Sequence, residues 1–285
     1  MGKRFPEAGV RDDAASLWVG GVEVAEYVTR PVVDPLRGPR PYVHPVRTLA
    51  GLVVTDILPE DHPHHLGVSL ALQDVNGVNL WGGRTYVRDA GYTWLDDHGL
   101  IEHVEWVDQA SDRLANRLHW RGPDGRVLLA EDRVMTATAV DARSWALEVA
   151  YTLRNPGPEP VRLGSPATNG RPGKAGYGGF FWRLAPGHPR VLDAHSDVEE
   201  EVNGSRSPWV AAVGVATPDR AYTLVFTGLD VGDHWFVRAA EYPGVCVALA
   251  FETVRVIEPG DALHRTHRVI IADGILTGAE ISTLV

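Results

Sequence analysis

Residues 144–155, SWALEVAYTLRN, decide the predicted fold class. Large apolar side chains occupy every second position: Trp145, Leu147, Val149, Tyr151 and Leu153. The positions between them carry small or polar residues: Ala146, Glu148, Ala150 and Thr152. A period of two places these two sets on opposite faces of an extended chain, as a half-buried β-strand requires.

Turn signals separate further runs of the same kind. Residues 16–30, SLWVGGVEVAEYVTR, alternate on both sides of Gly20-Gly21, which is a hairpin signal. Pro123-Asp124-Gly125 separates two alternating runs, and Asn76-Gly77 predicts another tight turn. The stretches 221–229 and 265–274 alternate as well. We therefore predict many antiparallel strands joined by short turns.

The composition is typical of one large β-domain. The chain has 285 residues, 30 glycines and 20 prolines, and it shows no long amphipathic helix. We predict an all-β fold, a single-domain antiparallel β-sandwich of the supersandwich type over residues 1–285, with a disordered segment at 1–15. The Pro- and Gly-rich segment 155–181 interrupts the pattern, and we expect it to contribute to a site because long irregular loops are often functional.

Charge and apolar content limit the class of function. The net charge of −10 argues against nucleic acid and anionic membranes as partners. It does not argue against a small anionic ligand, because local charge can oppose net charge. The longest apolar run, VCVALAF at 245–251, is far shorter than the roughly 20 residues that span a bilayer. The N-terminus lacks the apolar core of a secretory signal, so we expect a soluble, cytoplasmic protein. The single cysteine, Cys246, is predicted to be a buried strand residue.

A histidine block is the strongest sign of a functional site. Residues 61–68 read DHPHHLGV and contain His62, His64 and His65, three of the 12 histidines of the chain. Pro63 disfavours helical backbone at His62. We therefore predict an extended segment in which His62 and His64 point into one cleft, while His65 points away or braces the loop.

Three interpretations of this block stay open. The imidazoles can transfer protons or hydrogen-bond a substrate without a metal. Alternatively, His62 and His64 are two ligands of a divalent metal, the only cofactor that the sequence suggests. A third ligand must then come from elsewhere in the chain, and the candidates are His44, His103, Glu131 and His267. The third interpretation is a structural turn with solvated histidines.

The stretch RPYVHPVRTLAGLVVTDILPEDHPHHLGVSLALQDVNGVNLWGG, residues 40–83, resembles the signature region of the bacterial PmoA-like family. Its features are Arg-Pro-Tyr, His-Pro, the Asp-His-Pro-His-His-x-Gly block, Asp-Val-Asn-Gly and a tryptophan. The segments YGGFFWR at 177–183 and IEPGDALHRTHRVIIADG at 257–274 also fit, so the resemblance covers roughly residues 40 to 275. Leu66 stands where the family usually has an arginine after the two histidines, which puts any role of that arginine in doubt.

The resemblance implies carbohydrate chemistry. The family label, methane oxygenase, would instead imply a redox metalloenzyme that holds iron or copper. The C-terminal stretch 257–274 is also similar to the last strands of galactose-mutarotase-like supersandwiches, which implies that fold.

We therefore predict a carbohydrate-active enzyme that acts on a sugar or an oxidised keto-sugar by proton transfer, as an epimerase, isomerase or lyase. The predicted catalytic residues are His62 and His64, with His103 and Glu131 as partners. Aromatic faces stack on sugar rings, and arginines stabilise an oxyanion or a carboxylate. On this basis the predicted substrate-binding residues are His65, His44, Asn79, Trp81, Arg183, Trp209, Trp235 and Arg238.

A second hypothesis is a non-catalytic sugar-binding module or an accessory subunit of a sugar oxidoreductase. Under either hypothesis the expected ligand is a small-molecule carbohydrate. A second copy of the chain or a sugar dehydrogenase is the expected protein partner.

Overall fold

The structure, a computed structural model, describes residues 14–217 and 219–285 and consists mainly of antiparallel strands. The strands are, in chain order, β1 (Ala14–Val19), β2 (Val22–Val28), β3 (Tyr42–Val46), β4 (Val68–Ala71), β5 (Asp74–Val75), β6 (Thr85–Val87), β7 (Gly91–Thr93), β8 (Leu100–Gln109), β9 (Arg113–Arg121), β10 (Val127–Asp141), β11 (Ser144–Arg154), β12 (Val161–Gly164), β13 (Gly179–Arg183), β14 (Arg190–Asp193), β15 (Trp209–Thr217), β16 (Arg220–Thr227), β17 (His234–Arg238), β18 (Gly244–Ala248), β19 (Arg255–Ile257) and β20 (Ala262–Asp273). The described residues also form a 3₁₀ turn at Pro35–Arg37 and two short helices, α1 (Glu199–Val202) and α2 (Gly278–Leu284).

Two large sheets face each other across one hydrophobic core. The first has seven strands in the order β1-β2-β3-β4-β13-β18-β17, and the second has eight in the order β14-β15-β16-β20-β11-β10-β9-β8. Apolar side chains of both sheets belong to the same buried cluster, and Trp182 of β13 meets Phe226 of β16 edge-on at 5.6 Å. Two small sheets, β19-β12-β5 and β6-β7, lie outside this pair. The predicted all-β antiparallel sandwich is therefore confirmed.

Strand β11 shows why the period-two pattern predicts this fold. The side chains of Trp145, Leu147 and Leu153 are completely buried in the core between the sheets. Glu148, on the opposite face, is exposed. Ala146 lies on that same outer face but is buried, because it belongs to an apolar cluster that includes residues of α2. The short C-terminal helix therefore covers part of the eight-stranded sheet.

The predicted hairpin turns are confirmed by backbone conformation. Gly20 and Gly21 have φ values of 57° and 81° and connect the paired strands β1 and β2. Positive φ at both central residues is the geometry of a type I′ turn, which glycine adopts without steric cost. Asn76 and Gly77 show the same signs, with φ values of 52° and 83°. Pro123-Asp124-Gly125 connects β9 to its partner β10.

The seven-stranded sheet is apolar on both faces. In β13, Phe180 and Trp182 point into the core between the sheets, while Phe181 points to the outside. There it joins a group that we call the outer cluster, which consists of Ala71, Trp81, Tyr177, Phe181, Phe236, Cys246, Ala248 and Phe251. The prediction of a buried Cys246 is confirmed, and burial raises the pKa of its thiol to about 12. The outer cluster forms the base on which the candidate site is built.

Residues 1–13 of the segment that was predicted to be disordered lie outside the described residues, whereas Ala14 and Ala15 begin β1. The extent of the domain stays a prediction. Within the described ranges, no helix combines the length and the apolar character needed to cross a membrane.

Candidate functional site

A cavity of about 340 Å³ lies over the outer cluster of the seven-stranded sheet. Four segments contribute to its lining: the histidine block at 61–65, the stretch 81–94, the irregular loop before β13 at 171–177, and the end of β17 with the residues that follow, 236–242. Small-molecule sites typically have volumes of about 300–1,000 Å³. The cavity is therefore large enough for a small ligand, and it brings together parts of the chain that are far apart in sequence.

The histidine block forms a tight turn instead of an extended strand. The backbone N–H of His65 donates to the carbonyl oxygen of His62 at 2.9 Å, with Pro63 in the second position, where its fixed φ favours a turn. The predicted extended segment is wrong because the chain reverses at Pro63-His64, so strand alternation does not apply. His65 was expected to point away or to brace the loop; it borders the cavity together with His62 and His64, although only 1% of it is exposed, and its ring packs against theirs.

The three imidazole rings pack against one another. His62 stacks on His65 with a centroid distance of 4.6 Å, and His64 meets His65 edge-on at 4.8 Å. The ring of Tyr242 lies 4.4 Å from that of His62 and 5.1 Å from that of His65. Phe181 of the outer cluster supports His65 from below at 4.8 Å. This packing fixes the orientation of the rings before any ligand binds.

Asp61 orients the ring of His62. Its Oδ2 lies 2.7 Å from Nδ1 of His62, and its Oδ1 lies 3.4 Å from Nη2 of Arg183. Partial burial opposes ionisation of Asp61, but the hydrogen bond with His62 and the charge of Arg183 outweigh it and hold the pKa of this carboxyl below its usual value. A carboxylate can only accept a hydrogen bond. Nδ1 of His62 is therefore the protonated nitrogen, and Nε2, which has no partner among the described residues, can accept a proton.

His64 and His65 are neutral at physiological pH. Burial, the nearby guanidinium of Arg40 and the ring of His62 lower the pKa of His64 to about 3. Burial, followed by the proximity of the His64 ring, lowers the pKa of His65 well below its usual value. Each neutral ring offers one N–H donor and one acceptor nitrogen. Nδ1 of His65 is buried and has no hydrogen-bond partner within the described structure, so this ring keeps an unused polar atom next to the cavity.

A buried arginine connects the histidine turn to the next part of the wall. Arg40 is completely buried, and its guanidinium donates to the carbonyl oxygens of His64 at 3.0 Å and of Trp81 at 2.9 Å. It also donates to the carbonyl oxygen of Gly38 at 2.8 Å and to Oγ of Ser69 at 3.1 Å. All four acceptors are neutral, and burial lowers the pKa of Arg40 to about 9.

Tyrosines and an arginine form a further part of the cavity wall. The hydroxyl groups of Tyr92 and Tyr177 are 2.9 Å apart, and Nε2 of Gln73 donates to the Tyr177 hydroxyl at 2.8 Å. Arg171 lies over the ring of Tyr92, with its guanidinium carbon 4.9 Å from the ring centroid, and it donates to the Tyr92 hydroxyl. The irregular loop between β12 and β13 thus supplies Arg171 and Tyr177 to the cavity.

Two further arginines stand at the edges of the cavity. The exposed Arg84 lies over Trp94, with its guanidinium carbon 5.8 Å from the ring centroid, and 54% of Trp94 is exposed. Arg238 lies over Phe236 at 4.4 Å, and its Nε is 3.9 Å from Oε2 of Glu241. In β17, Phe236 and Arg238 face the cavity because residues two apart share a face of a strand.

Five of the predicted residues border the cavity: His62, His64, His65, Trp81 and Arg238. Two others lie directly behind it. Arg183 binds Asp61 from below, as described above. Asn79 is completely buried; its amide oxygen accepts from the N–H groups of Trp81 and Gly82, and its amide nitrogen donates to Gly83. Its amide therefore shapes the Trp81 loop and has no group left for a substrate.

Glu131 and His103, predicted as catalytic partners, lie on the eight-stranded sheet away from this cavity. Both carboxylate oxygens of Glu131 are engaged, with Arg133 at 2.6 Å and with the indole nitrogen of Trp120 at 2.7 Å. Nδ1 of His103 lies 3.0 Å from the side-chain amide of Asn116. Inward alternation along β10 places Glu131 in the core between the sheets, where an ion pair satisfies its charge.

The other predicted residues also lie elsewhere. Trp235 points into the core because it alternates with Phe236, and its indole donates to the carbonyl oxygen of Ser207. Trp209 belongs to the apolar cluster that α2 covers on the eight-stranded sheet. Nδ1 of His44 lies 2.9 Å from Oγ1 of Thr55, outside the cavity lining. His267 is buried between the hydroxyl of Tyr151 at 3.1 Å and the carbonyl oxygen of Gly228 at 2.9 Å.

Several lining residues were missed by the sequence analysis: Tyr92, Trp94, Arg84, Arg171, Tyr177 and Tyr242. One signal could have indicated Arg171 and Tyr177, because both lie in the Pro- and Gly-rich segment that was expected to be functional. The others lie in short loops and strands of ordinary composition. No pattern within such segments shows which of them approach the histidine block.

In the part of the chain that the structure describes, no third metal ligand joins His62 and His64. Across residues 14–217 and 219–285, no group of three or more histidine, cysteine, aspartate or glutamate side chains is arranged to hold a metal ion. His44, His103, Glu131 and His267, the proposed sources of that ligand, have the partners described above.

Leu66 takes part in packing. It is completely buried in a small apolar cluster with Val28 and Tyr42, and it pairs with Ile57 in an isolated bridge. The side chain of Leu66, at the position where the resembling family has an arginine, therefore points away from the cavity and supports the histidine turn.

Comparison with solved structures finds chains of low sequence identity. A galactose mutarotase related enzyme from Lactobacillus acidophilus has 10% identity and a TM-score of 0.44, over 93% of this chain and 98% of that one. A candidate aldose 1-epimerase from Escherichia coli K12 has 12% identity and a TM-score of 0.42, over 92% and 99%. The alpha-galactosidase from Lactobacillus brevis has 10% identity and a TM-score of 0.43, over 92% of this chain and 39% of its own.

No curated protein sequence matches the chain. The family model that matches is described as a family of unknown function, DUF6807, and the match extends over residues 14–285. The resemblance to the PmoA-like family stays a prediction. Because the match covers nearly the whole chain, this protein belongs to the DUF6807 family.

Proposed function

We propose that this chain is an enzyme that acts on a sugar or a keto-sugar by proton transfer, in the manner of an epimerase, an isomerase or a lyase. The observation that carries the proposal is the Asp61–His62 pair beside two neutral imidazoles in one cavity. A carboxylate that fixes one nitrogen of an imidazole leaves the other nitrogen as an oriented base.

The proposed first step moves a proton from carbon. Nε2 of His62 removes the proton from a carbon next to a carbonyl group, and the C–H electron pair becomes the enolate. The resulting imidazolium is stabilised by the Asp61 carboxylate. Negative charge develops on the carbonyl oxygen, where an N–H of a neutral ring, His64 or His65, can donate to it. Return of the proton to the other face or to the neighbouring carbon gives epimerisation or isomerisation, and loss of a β-substituent gives elimination.

A sugar suits the lining of this cavity. Hydroxyl groups need many donors and acceptors, which the imidazoles, the Tyr92 hydroxyl and Arg238 offer. The exposed indole of Trp94 offers an aromatic face to the apolar side of a sugar ring. The motif resemblance to the PmoA-like family, which implies carbohydrate chemistry, supports the same class of substrate.

Deuterium exchange tests the proposal directly. The purified protein is incubated in D₂O with a panel of aldoses, ketoses and 3-keto-sugars, and the C–H signals are followed by proton NMR. A proton held on His62 after removal from carbon can exchange with solvent before it is returned, and a reaction that returns it without exchange still gives a new product. We expect exchange or new products with at least one panel member. A complete panel without exchange or products would contradict the proposal.

Two substitutions separate the proposed base from a background reaction. His62→Gln removes the basic nitrogen in a side chain that is partly exposed and adds little to the core, so folding should be preserved. His195→Gln is the matched control because His195 is exposed and lies outside the cavity lining. We expect exchange to fall at least about 100-fold in His62→Gln, as general bases contribute about 10²–10⁴-fold. It should be unchanged in His195→Gln.

A sugar-binding module without catalysis is the second candidate. The observation that favours it is the exposed Trp94 with Arg84 over its ring at the rim, an arrangement suited to stacking on a sugar. Saturable chemical-shift changes without any C–H exchange would favour binding alone. Turnover would exclude it.

A further inference from the structure

We infer that the cavity selects an anionic sugar, one that carries a carboxylate or a phosphate group, and that Arg171 and Arg238 bind this group. The inference rests on the proposed function, because it names the substrate class for the same cavity. It starts from the arginine side chains that line the cavity and from the scarcity of carboxylates beside them among the described residues.

The cavity is rich in guanidinium groups although the chain carries a net charge of −10. Arg84, Arg171 and Arg238 all contribute to the lining. Among the described residues, neither Arg84 nor Arg171 has a carboxylate within 4 Å; their polar and ring contacts are the aromatic ones described above. Arg238 donates to the carbonyl oxygen of Val237 at 2.8 Å, and the one carboxylate paired with it among the described residues is Glu241, at 3.9 Å and with a side chain that is 72% exposed. Arginines that lack acidic partners inside a concave site are typical of anion recognition.

Among the described residues, the two carboxylates that line the cavity pair with neither Arg84 nor Arg171. Asp61 is already bound to His62 and to Arg183, on the histidine side. Glu241 is the other lining carboxylate, and it lies beside Arg238. The wall formed by Arg171 and Tyr92 therefore keeps an uncompensated positive charge.

A buried cation, Arg40, lies behind the histidine side. Arg40 is completely buried and donates only to carbonyl and hydroxyl oxygens within the described structure, so its charge has no anionic partner there. Two of its acceptors are the carbonyl oxygens of His64 and Trp81, which both line the cavity. A buried charge without a counter-charge is costly. The negative charge of an anion in the cavity would offset part of that cost.

The same anion would support the proposed proton transfer. His64 faces Asp61, His62, Arg40 and Arg183, and the cations among these disfavour its protonation. A bound anion would offset part of the positive charge of these cations and so favour protonation on the histidine side. Positive charge on the histidine side therefore becomes easier to form once the substrate is in place, as a proton-transfer step requires.

Carboxylates and phosphates bind arginine by the same charge-assisted hydrogen bonds, so the experiment compares both. Binding of glucose, glucuronate, gluconate and glucose 6-phosphate is measured by titration with NMR detection, in low salt and in high salt. We expect at least one anionic sugar to bind about tenfold or more tightly than glucose, and to lose most of this advantage in high salt. Preference for the sugar acids identifies a carboxylate, and preference for the phosphate ester identifies a phosphate. Equal or weaker binding of all three anions would overturn the inference.

Matched arginine substitutions locate the anion. Arg171→Gln should weaken the preferred anionic sugar about 10- to 100-fold and change glucose binding by less than about threefold. Arg238→Gln should weaken the same anionic sugar by a similar factor, and unchanged affinity in both variants would overturn the assignment. Arg126→Gln removes the same charge from the exposed turn between β9 and β10, outside the cavity lining, and should have no effect. Equal losses in Arg171→Gln and Arg126→Gln would mean that net charge alone acts, which contradicts the inference.

Failure of this inference is distinguishable from failure of the proposed function. Exchange of C–H protons in a neutral sugar, with no preference for anions, would leave the enzyme proposal standing and remove the anionic selectivity. Tight, salt-sensitive binding of an anionic sugar without any exchange would support the anionic selectivity and contradict the proposed proton-transfer enzyme.

Discussion

Replacing Arg40 by lysine tests whether one buried guanidinium connects the histidine turn to the Trp81 loop. Arg40 donates four hydrogen bonds of 3.1 Å or less, to Oγ of Ser69 and to the carbonyl oxygens of Gly38, Trp81 and His64. An ammonium group has three donors, all on one atom, whereas the guanidinium spreads five over a plane. At least one of the four buried acceptors must therefore lose its partner in Arg40→Lys.

The expected cost follows from the number of acceptors that are left without a donor. A buried polar group without a partner costs about 1–3 kcal/mol. One or two such acceptors predict a loss of about 1–6 kcal/mol in the free energy of unfolding. A loss of this size is a large fraction of the stability of an ordinary domain, about 5–15 kcal/mol.

Urea unfolding of the wild type and the variant measures this loss, with Arg126→Lys as the control at an exposed position. Hydrogen exchange followed by mass spectrometry gives a second readout. Residues 62–65 and 80–83 should exchange faster in Arg40→Lys, because each segment loses a bond to the same side chain. A loss of less than about 0.5 kcal/mol, or unchanged exchange in both segments, would refute the role that we assign to Arg40.

Three further predictions follow from individual contacts. Asp61→Asn should lower the rate of C–H exchange about tenfold in NMR assays, because the charge-assisted hydrogen bond to His62 is lost. The effect is limited to this size because Asp61 is half exposed, and an unchanged rate would contradict the role of the Asp61–His62 pair. Gly67→Ala should cost about 2–5 kcal/mol in urea unfolding, since Gly67 has φ +42° and a Cβ there would approach the carbonyl oxygen of Val43 to 2.3 Å; near-wild-type stability would show that the backbone can yield. Burial lowers the pKa of His267 to about 4, so the unfolded chain binds its proton first on acidification. Stability should therefore fall by about 2 kcal/mol between pH 7 and pH 5 through this residue, and His267→Asn should show a smaller decrease.

The alternation of side chains predicted the strands correctly, and the reason is local. Residues two apart share a face of any extended chain, whatever packs against it, so SWALEVAYTLRN identifies β11 without knowledge of its neighbours. The turn at Gly20-Gly21 is equally local, because positive φ at both central residues is easy only for residues such as glycine. The buried Cys246 also follows from its immediate apolar context.

Alternation does not reveal which face of a strand meets which part of the protein. Trp235 and Phe236 are adjacent large aromatic residues on opposite faces of β17, and only the packing of the sheets places Trp235 in the core and Phe236 under the cavity. The prediction of Glu131 as a catalytic partner has the same weakness. The sequence shows only a carboxylate on a strand, whereas its ion pair with Arg133 in the core between the sheets depends on the tertiary fold.

The sequence by itself therefore determined that this protein is built from antiparallel strands and that His62, His64 and His65 form a distinctive block. Only the tertiary structure decided that the block is a tight turn, that all three rings border one cavity, and that Arg171 and Tyr92 line the same cavity. The physical reason is the range of the interactions. Backbone conformation and side-chain period act over a few residues, whereas a cavity forms where segments more than 100 residues apart meet, as the histidine turn and the loop at Arg171 do here.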